Sequence, residues 1–360
     1  MRLRIFGTAA FAAGILASAS GEAADGPPDP DPPRLAIVCQ GSVPADARIA
    51  ACEALAHDPR LPLKLAAPVF SSIGYAQIDK RQYSLAVLSF TDALRSDAGF
   101  WPAYWARAEL LEKRREYAAA ISDWSAFLVH QPNLAGAYAR RAVSVENLER
   151  WDQAIADYTK AIELASPTDP IARYYAGRGY AHSWSGQFET ALTDYTEAIK
   201  RDDHDPVAFA GRGRVELLKG DAASAVSDFT KASELVPNSI YTPIWLWLAQ
   251  TESGADGTAE LRRRTAPLMA SGWPSPLVRV LLGEVKAGDV SPAQSGPSTW
   301  TADERIEGGS CEKAFFAGEF YRVHGDKEQA ITFFKAALAT HMTEFIEYHA
   351  AAIELARLTR

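Results

Sequence analysis

The sequence predicts an all-α solenoid: antiparallel helix pairs stacked in a row and closed by a capping helix. Three observations predict it. Alanine recurs at Ala86, Ala120, Ala154, Ala191, Ala225 and Ala330. The steps are 34, 34, 37, 34 and 105 residues, the last close to three periods. Small and aromatic residues recur at fixed offsets around each alanine, and no segment shows the period-two alternation of a strand.

With Ala86 as position 20 of a 34-residue unit, units begin at residues 67, 101, 135, 172, 206 and 311. Position 8 is then Gly74, Ala108, Ala142, Gly179, Gly213 and Gly318. Position 24 is Phe90, Trp124, Tyr158, Tyr195, Phe229 and Phe334. Position 4 is Phe70, Tyr104, Tyr138, Tyr175 and Phe209 in the first five units. Small residues at positions 8 and 20 let two helices approach closely, and the aromatics fill the space around that contact. Position 27 is small except for Phe127, which predicts a slightly splayed second pair. Such pairs bury their apolar faces only by stacking. The 34-residue period resembles the tetratricopeptide repeat (TPR) family. That resemblance implies a superhelix that binds proteins on its concave face.

Position 7 is Arg107, Arg141, Arg178 and Arg212 in units two to five, and position 23 is Asp123, Asp157, Asp194 and Asp228. Both charges are absent from the first and last units. Their joint presence predicts Arg–carboxylate pairs between neighbouring helices. A phosphate-binding arginine stripe is the other reading.

The chain has 360 residues, of which 48% are hydrophobic, and a net charge of −8. That balance disfavours nucleic acid and anionic lipid as partners. Residues 1–23 read as a secretory signal peptide. Arg2 and Arg4 precede an apolar run from Ile5 to Leu16, and Ala17-Ser18-Ala19 and Gly21-Glu22-Ala23 offer cleavage sites. The apolar run is too short to span a bilayer comfortably. These features predict a periplasmic protein with no transmembrane segment after cleavage. Residues 24–33 are an extended Pro/Asp-rich leader. Residues 34–66 form an N-terminal cap, with a helix from about Ala45 to His57. In an oxidising compartment Cys39 and Cys52 are expected to form a disulfide. The remaining cysteine, Cys311, reads as a buried free thiol.

Five units follow, at 67–100, 101–134, 135–171, 172–205 and 206–239. Residues 240–310 are degenerate. Helices are expected over Ile244–Ala249, Thr258–Met269 and Pro276–Lys286, and a loop over Gly288–Glu307. The apolar run Ile244–Ala249 is either core or the face of a homodimer. The last unit is 311–344, and residues 345–360 are the capping helix, with Phe345–Leu358 helical.

No catalytic motif, cofactor-binding motif or metal-ligand spacing is present, so the sequence predicts no enzyme, no cofactor and no metal. The seven histidines read as surface residues, although His341 and His349 could share a helix face. In the TPR family, first-helix positions 2, 5, 9, 12 and 13 line the concave face. Here the resemblance selects Tyr75, Trp105, Glu109, Glu112, Lys113, Glu146, Asn147, Tyr180, Trp184 and Arg214. This aromatic, partly acidic set suits a segment with apolar and basic side chains. Alternatively, Trp105 and Trp184 pack between repeats. The Lys/Asn/Arg set of TPRs that grip a peptide C-terminus is missing.

The C-terminal third resembles one family more closely. Its residues are Ile244-Trp245-Leu246-Trp247-Leu248-Ala249-Gln250, Val280-Leu281-Leu282-Gly283 and Ala314-Phe315-Phe316-Ala317-Gly318-Glu319-Phe320-Tyr321. Ile331-Thr332-Phe333-Phe334-Lys335-Ala336-Ala337-Leu338 and the segments Glu344–Tyr348 and Ile353–Leu355 continue the match. Together they resemble the bacterial NlpI-like periplasmic TPR lipoproteins. The resemblance implies a homodimeric envelope adaptor that docks murein hydrolases and a protease. This chain departs in lacking the lipidation cysteine, in adding the Cys39–Cys52 segment and in having more regular repeats.

Overall fold

The computed structural model describes residues 32–269, 273–291, 302–343 and 345–359. The signal peptide and all but the last two residues of the leader lie outside the described residues. Within them the chain forms eighteen α-helices and no strand. It divides into two compact units, one ending at Ala137 and the other beginning at Tyr138. A repeat array has no single core, because each repeat packs on its neighbours.

The first unit opens with α1 (Pro32–Gln40) and α2 (Ala45–Ala56). A bond between Cys39 and Cys52 joins them. Ala36, Cys39, Ala51, Cys52 and Leu55 pack against Leu65, Val69 and Ile73 of the next helix, so the cap is seated on the first repeat. Two helix pairs follow as α3 (Leu63–Asp79), α4 (Tyr83–Ser96), α5 (Trp101–Lys113) and α6 (Tyr117–His130), with α7 (Ala135–Glu146) crossing the division. The tight contact at position 8 is visible at Gly74, where a Cβ would lie 2.8 Å from the Phe90 ring. Phe127, the oversized residue at position 27, is fully buried and is accommodated edge-on by Trp101 and Trp105, at 5.5 and 5.1 Å.

The second unit continues with α8 (Trp151–Leu164), α9 (Ile171–Trp184), α10 (Phe188–Arg201), α11 (Pro206–Lys219) and α12 (Ala222–Leu235). Here the aromatic at position 24 also packs on the next repeat. A Cβ on Gly177 or Gly211 would meet the Tyr158 or Tyr195 ring at 2.4 Å.

The Arg–Asp pairs form in both units. Arg107, Arg141, Arg178 and Arg212 each donate two hydrogen bonds of 2.7–2.9 Å to Asp123, Asp157, Asp194 and Asp228. The aspartates are buried, and the guanidiniums of Arg141, Arg178 and Arg212 lie over the position-4 rings of Tyr138, Tyr175 and Phe209. Arg107, Arg178 and Arg212 also reach Thr91, Thr159 and Thr196 of the preceding repeat. These three arginines thus tie their own second helix to the one before it. The arginines are fully engaged inside the frame, which removes the phosphate-stripe reading.

The degenerate region differs from expectation in detail. Helix α13 (Tyr241–Glu252) contains the run Ile244–Ala249, every residue of which is buried in the core of this single chain. It therefore offers no dimer face. Helix α14 (Thr258–Thr265) is short, and Ala266–Leu268 form a single 3₁₀ turn. Helix α15 (Ser275–Leu281) stops before the expected Lys286, because Gly283 adopts a left-handed φ of 69°. The expected loop Gly288–Glu307 is helical from residue 302. Helix α16 (Ala302–Val323) starts nine residues before Cys311, and its partner is α17 (Lys327–Leu338). A loop-rich composition up to Glu307 concealed this extension. The closing helix α18 (Ile346–Leu358) excludes a shared helix for His341 and His349, because His341 lies in the preceding turn with φ 54°. His182 is buried beside Asp194, and His349 is half-buried, so these two are not surface histidines.

Candidate functional site

The residues selected by the TPR resemblance sit on or at the end of the first helices of their pairs. In the first unit Tyr75 on α3 is 40% exposed and stands edge-on to Phe90, with ring centroids 5.2 Å apart. Trp105 on α5 is half-buried and stands edge-on to Trp124 at 4.8 Å. Glu109, one turn further along α5, is half-buried. Trp105 therefore packs within its repeat, against Trp124 and Phe127, while part of its surface stays exposed.

Glu112 has another task. Its carboxylate accepts a 2.8 Å hydrogen bond from Trp124 Nε1. Glu146 does the same in the next repeat, accepting from the Tyr158 hydroxyl at 3.2 Å. Burial pushes the Glu146 carboxyl up to about 8 despite that bond. Both glutamates satisfy the polar end of a core aromatic, as buried polar groups require. The signal was present in the sequence. Position 12 is Glu112, Glu146 and Ser183 where position 24 is Trp124, Tyr158 and Tyr195. It is Ile78 and Leu217 where position 24 is Phe90 and Phe229.

In the second unit the concave residues come together under the chain's own last helix. Tyr180 stands edge-on to Trp151 and Trp184, with centroids at 6.2 and 5.8 Å. The His349 ring of α18 lies against Trp184 at 5.0 Å and edge-on to Trp151 at 5.5 Å. His349 Nε2 is 2.7 Å from the Thr343 carbonyl, and burial holds its pKa below the ordinary 6.5. Arg214 is half-buried and makes no hydrogen bond or ion pair among the described residues. Its charge acts on Tyr180, Tyr195 and Glu347. Lys113 is exposed above the Tyr83 ring, and Asn147 bonds its own helix backbone, so neither is drawn into a cluster.

Chemistry is poorly served elsewhere. Cys311 is fully buried, and burial pushes its thiol up to about 12, which leaves little thiolate. Asp202, Asp203 and His204 gather on an exposed turn. Asp202 there accepts the backbone N–H of His204, an ordinary turn bond. No described helix is long and apolar enough to cross a membrane.

The tetratricopeptide repeat profile matches residues 72–126 and 178–240, so it falls on both units. The chain carries tetratricopeptide repeats. A curated relative, "Tetratricopeptide repeat protein 13" of Homo sapiens, is 25% identical over 142 residues. That stretch is 38% of this chain and 16% of the relative's length. Among solved structures, PilW, described as a widely conserved type IV pilus biogenesis factor, superposes with a TM-score of 0.51 at 21% identity. The match covers 60% of this chain and 98% of PilW. A tetratricopeptide repeat protein from Parabacteroides merdae gives 0.48 at 18% identity, over 67% of this chain and 91% of that one. The PilW similarity shows the TPR fold.

Proposed function

We propose that this chain is an exported adaptor that docks protein partners in the bacterial cell envelope, and that it is not an enzyme. The observation that carries the reading is the concave surface of the first unit, where Tyr75 and Trp105 present partly open rings beside Glu109. Rings of this kind give large contact area at low entropic cost, and the carboxylate favours basic neighbours. The partner segment is therefore apolar and basic. The bond between Cys39 and Cys52 supports an oxidising compartment, as does the signal-like N-terminal sequence. The resemblance to envelope lipoproteins suggests peptidoglycan-modifying enzymes or a protease as partners, and a homodimer as the working form.

Affinity capture from a periplasmic extract tests the reading. The wild-type chain should retain specific proteins, and Trp105→Ala should release them while leaving the helical content unchanged. Retention of nothing specific, or identical retention by Trp105→Ala, would contradict it.

A further inference from the structure

Helix α18 is seated against the surface where the second unit presents its ligand-type residues. His349 fills the gap between Trp151 and Trp184, and Glu347 is buried within the field of Arg214. The seat fits imperfectly. Trp184 Nε1 is buried and meets the Tyr180 hydroxyl without good hydrogen-bond geometry. Glu347 is buried, and the charge of the buried Glu312 carboxyl acts on it. Further along the helix, Glu354 pairs with Arg357 at 2.6 Å and also reaches the Arg322 guanidinium, which Glu252 and Glu319 share. A poorly paired buried N–H and a buried carboxyl in the field of another each weaken the docking of the element that carries or covers them.

We propose that α18 is an internal occupant of a binding groove in the second unit, and that an amphipathic helix of a protein partner takes its seat. The incoming helix carries an aromatic or imidazole ring at the place of His349. It has uncharged polar side chains at the places of Glu347 and Glu354, and offers an acceptor to Trp184 Nε1. The chain thus guards one of its own ligand surfaces, and a partner gains access by being the better ligand. This deepens the adaptor reading and rests on it. Its test uses only this chain and a peptide of its own sequence, so the absence of any natural partner would leave the result intact.

The probe is a fluorescent peptide spanning residues 345–359 with Glu347→Gln and Glu354→Gln. It is titrated against the full chain, wild type and His349→Ala. His349→Ala loosens the internal helix and should bind the peptide at least about tenfold more tightly than wild type. Adding Trp184→Ala should abolish that binding. Equal affinity for the wild type and a folded His349→Ala chain would overturn the proposal. Hydrogen exchange on the wild-type chain needs no variant. Residues 346–358 should exchange at least about tenfold faster than residues 244–249, by local opening. Exchange as slow as in that core helix would also overturn it.

Discussion

Tyr75 and Tyr180 occupy the same place, position 9 of their repeats, and meet different surroundings. Tyr75 in the first unit keeps 40% of its surface open. Tyr180 in the second stands edge-on to Trp151 and Trp184, the two rings on which His349 packs. The frame beneath them is common to both units, since the same bidentate Arg–Asp pair recurs in each. In the second unit a helix from the end of the chain also packs on the two tryptophans beside that tyrosine. A repeat array makes many equivalent surfaces, and a terminal helix can take one out of service without altering the repeats that build it.

The largest effect should fall on what the two units share. Arg107→Ala and Arg178→Ala each strand a buried aspartate and should each cost about 3–5 kcal/mol in denaturant unfolding. Similar losses would confirm a common frame. A much smaller loss in one unit would break the comparison at its base.

The next effect concerns the polar partners inside the frame. Tyr158→Phe removes the one hydrogen bond of the Glu146 carboxyl and should cost about 1–3 kcal/mol. Adding Glu146→Leu reproduces the Leu217–Phe229 arrangement of the fifth repeat and should recover most of that loss, as thermal melts would show.

Smaller still is a pH effect confined to the second unit. On α18, Glu347 is pushed up to about 8 from its ordinary 4.5, mainly by burial and then by Glu312. A raised carboxyl pKa means that docking is favoured with the proton on. That contribution falls as pH rises from about 4.5 and is gone above about 8. Glu319, pushed up to about 8 by burial, and the raised Glu354 act in the same direction, while Arg322 and Arg214 oppose them. His349 has the opposite sign. Its lowered pKa gives a contribution present above its ordinary 6.5 and lost as the pH falls through the folded value. Exchange protection of residues 346–358, corrected for intrinsic rate, should therefore fall between pH 6.5 and about 8.5. Protection of residues 63–79 in the first unit should stay flat.

The smallest effect is a gain. Position 15 adopts a left-handed φ throughout, at Arg81, Arg115 and Glu149 as well as at Gly186, Gly220, Gly254 and Gly325. Arg115→Gly relieves about 1 kcal/mol of backbone strain, partly offset by the entropy of an added glycine, and should raise stability by a few tenths of a kcal/mol. The same change at Gly186 has already been made by the sequence, so the second unit has less to gain.

The frame was legible because it rests on contacts within one repeat or between neighbours. The Arg–Asp pairs and the small residues facing Phe90 and Phe334 all follow from a 34-residue register. Two periodic signals were present but unused. One is the position-12 partner of Trp124 and Tyr158. The other is the glycine series 186, 220 and 254, which carries the period one step into the degenerate region and sets the turn between α13 and α14. The covering of Tyr180 and Trp184 was not legible. His349 lies 165 residues beyond Trp184, and an amphipathic helix does not specify which distant surface it will cover.

Hydroxyl-radical footprinting of the intact chain, read by mass spectrometry, tests the contrast most directly. Tyr75 and Trp105 should oxidise faster than Tyr180 and Trp184. In His349→Ala the latter pair should gain reactivity while Tyr75 stays as it was. Equal reactivity of Tyr75 and Tyr180 in the wild-type chain would contradict the account.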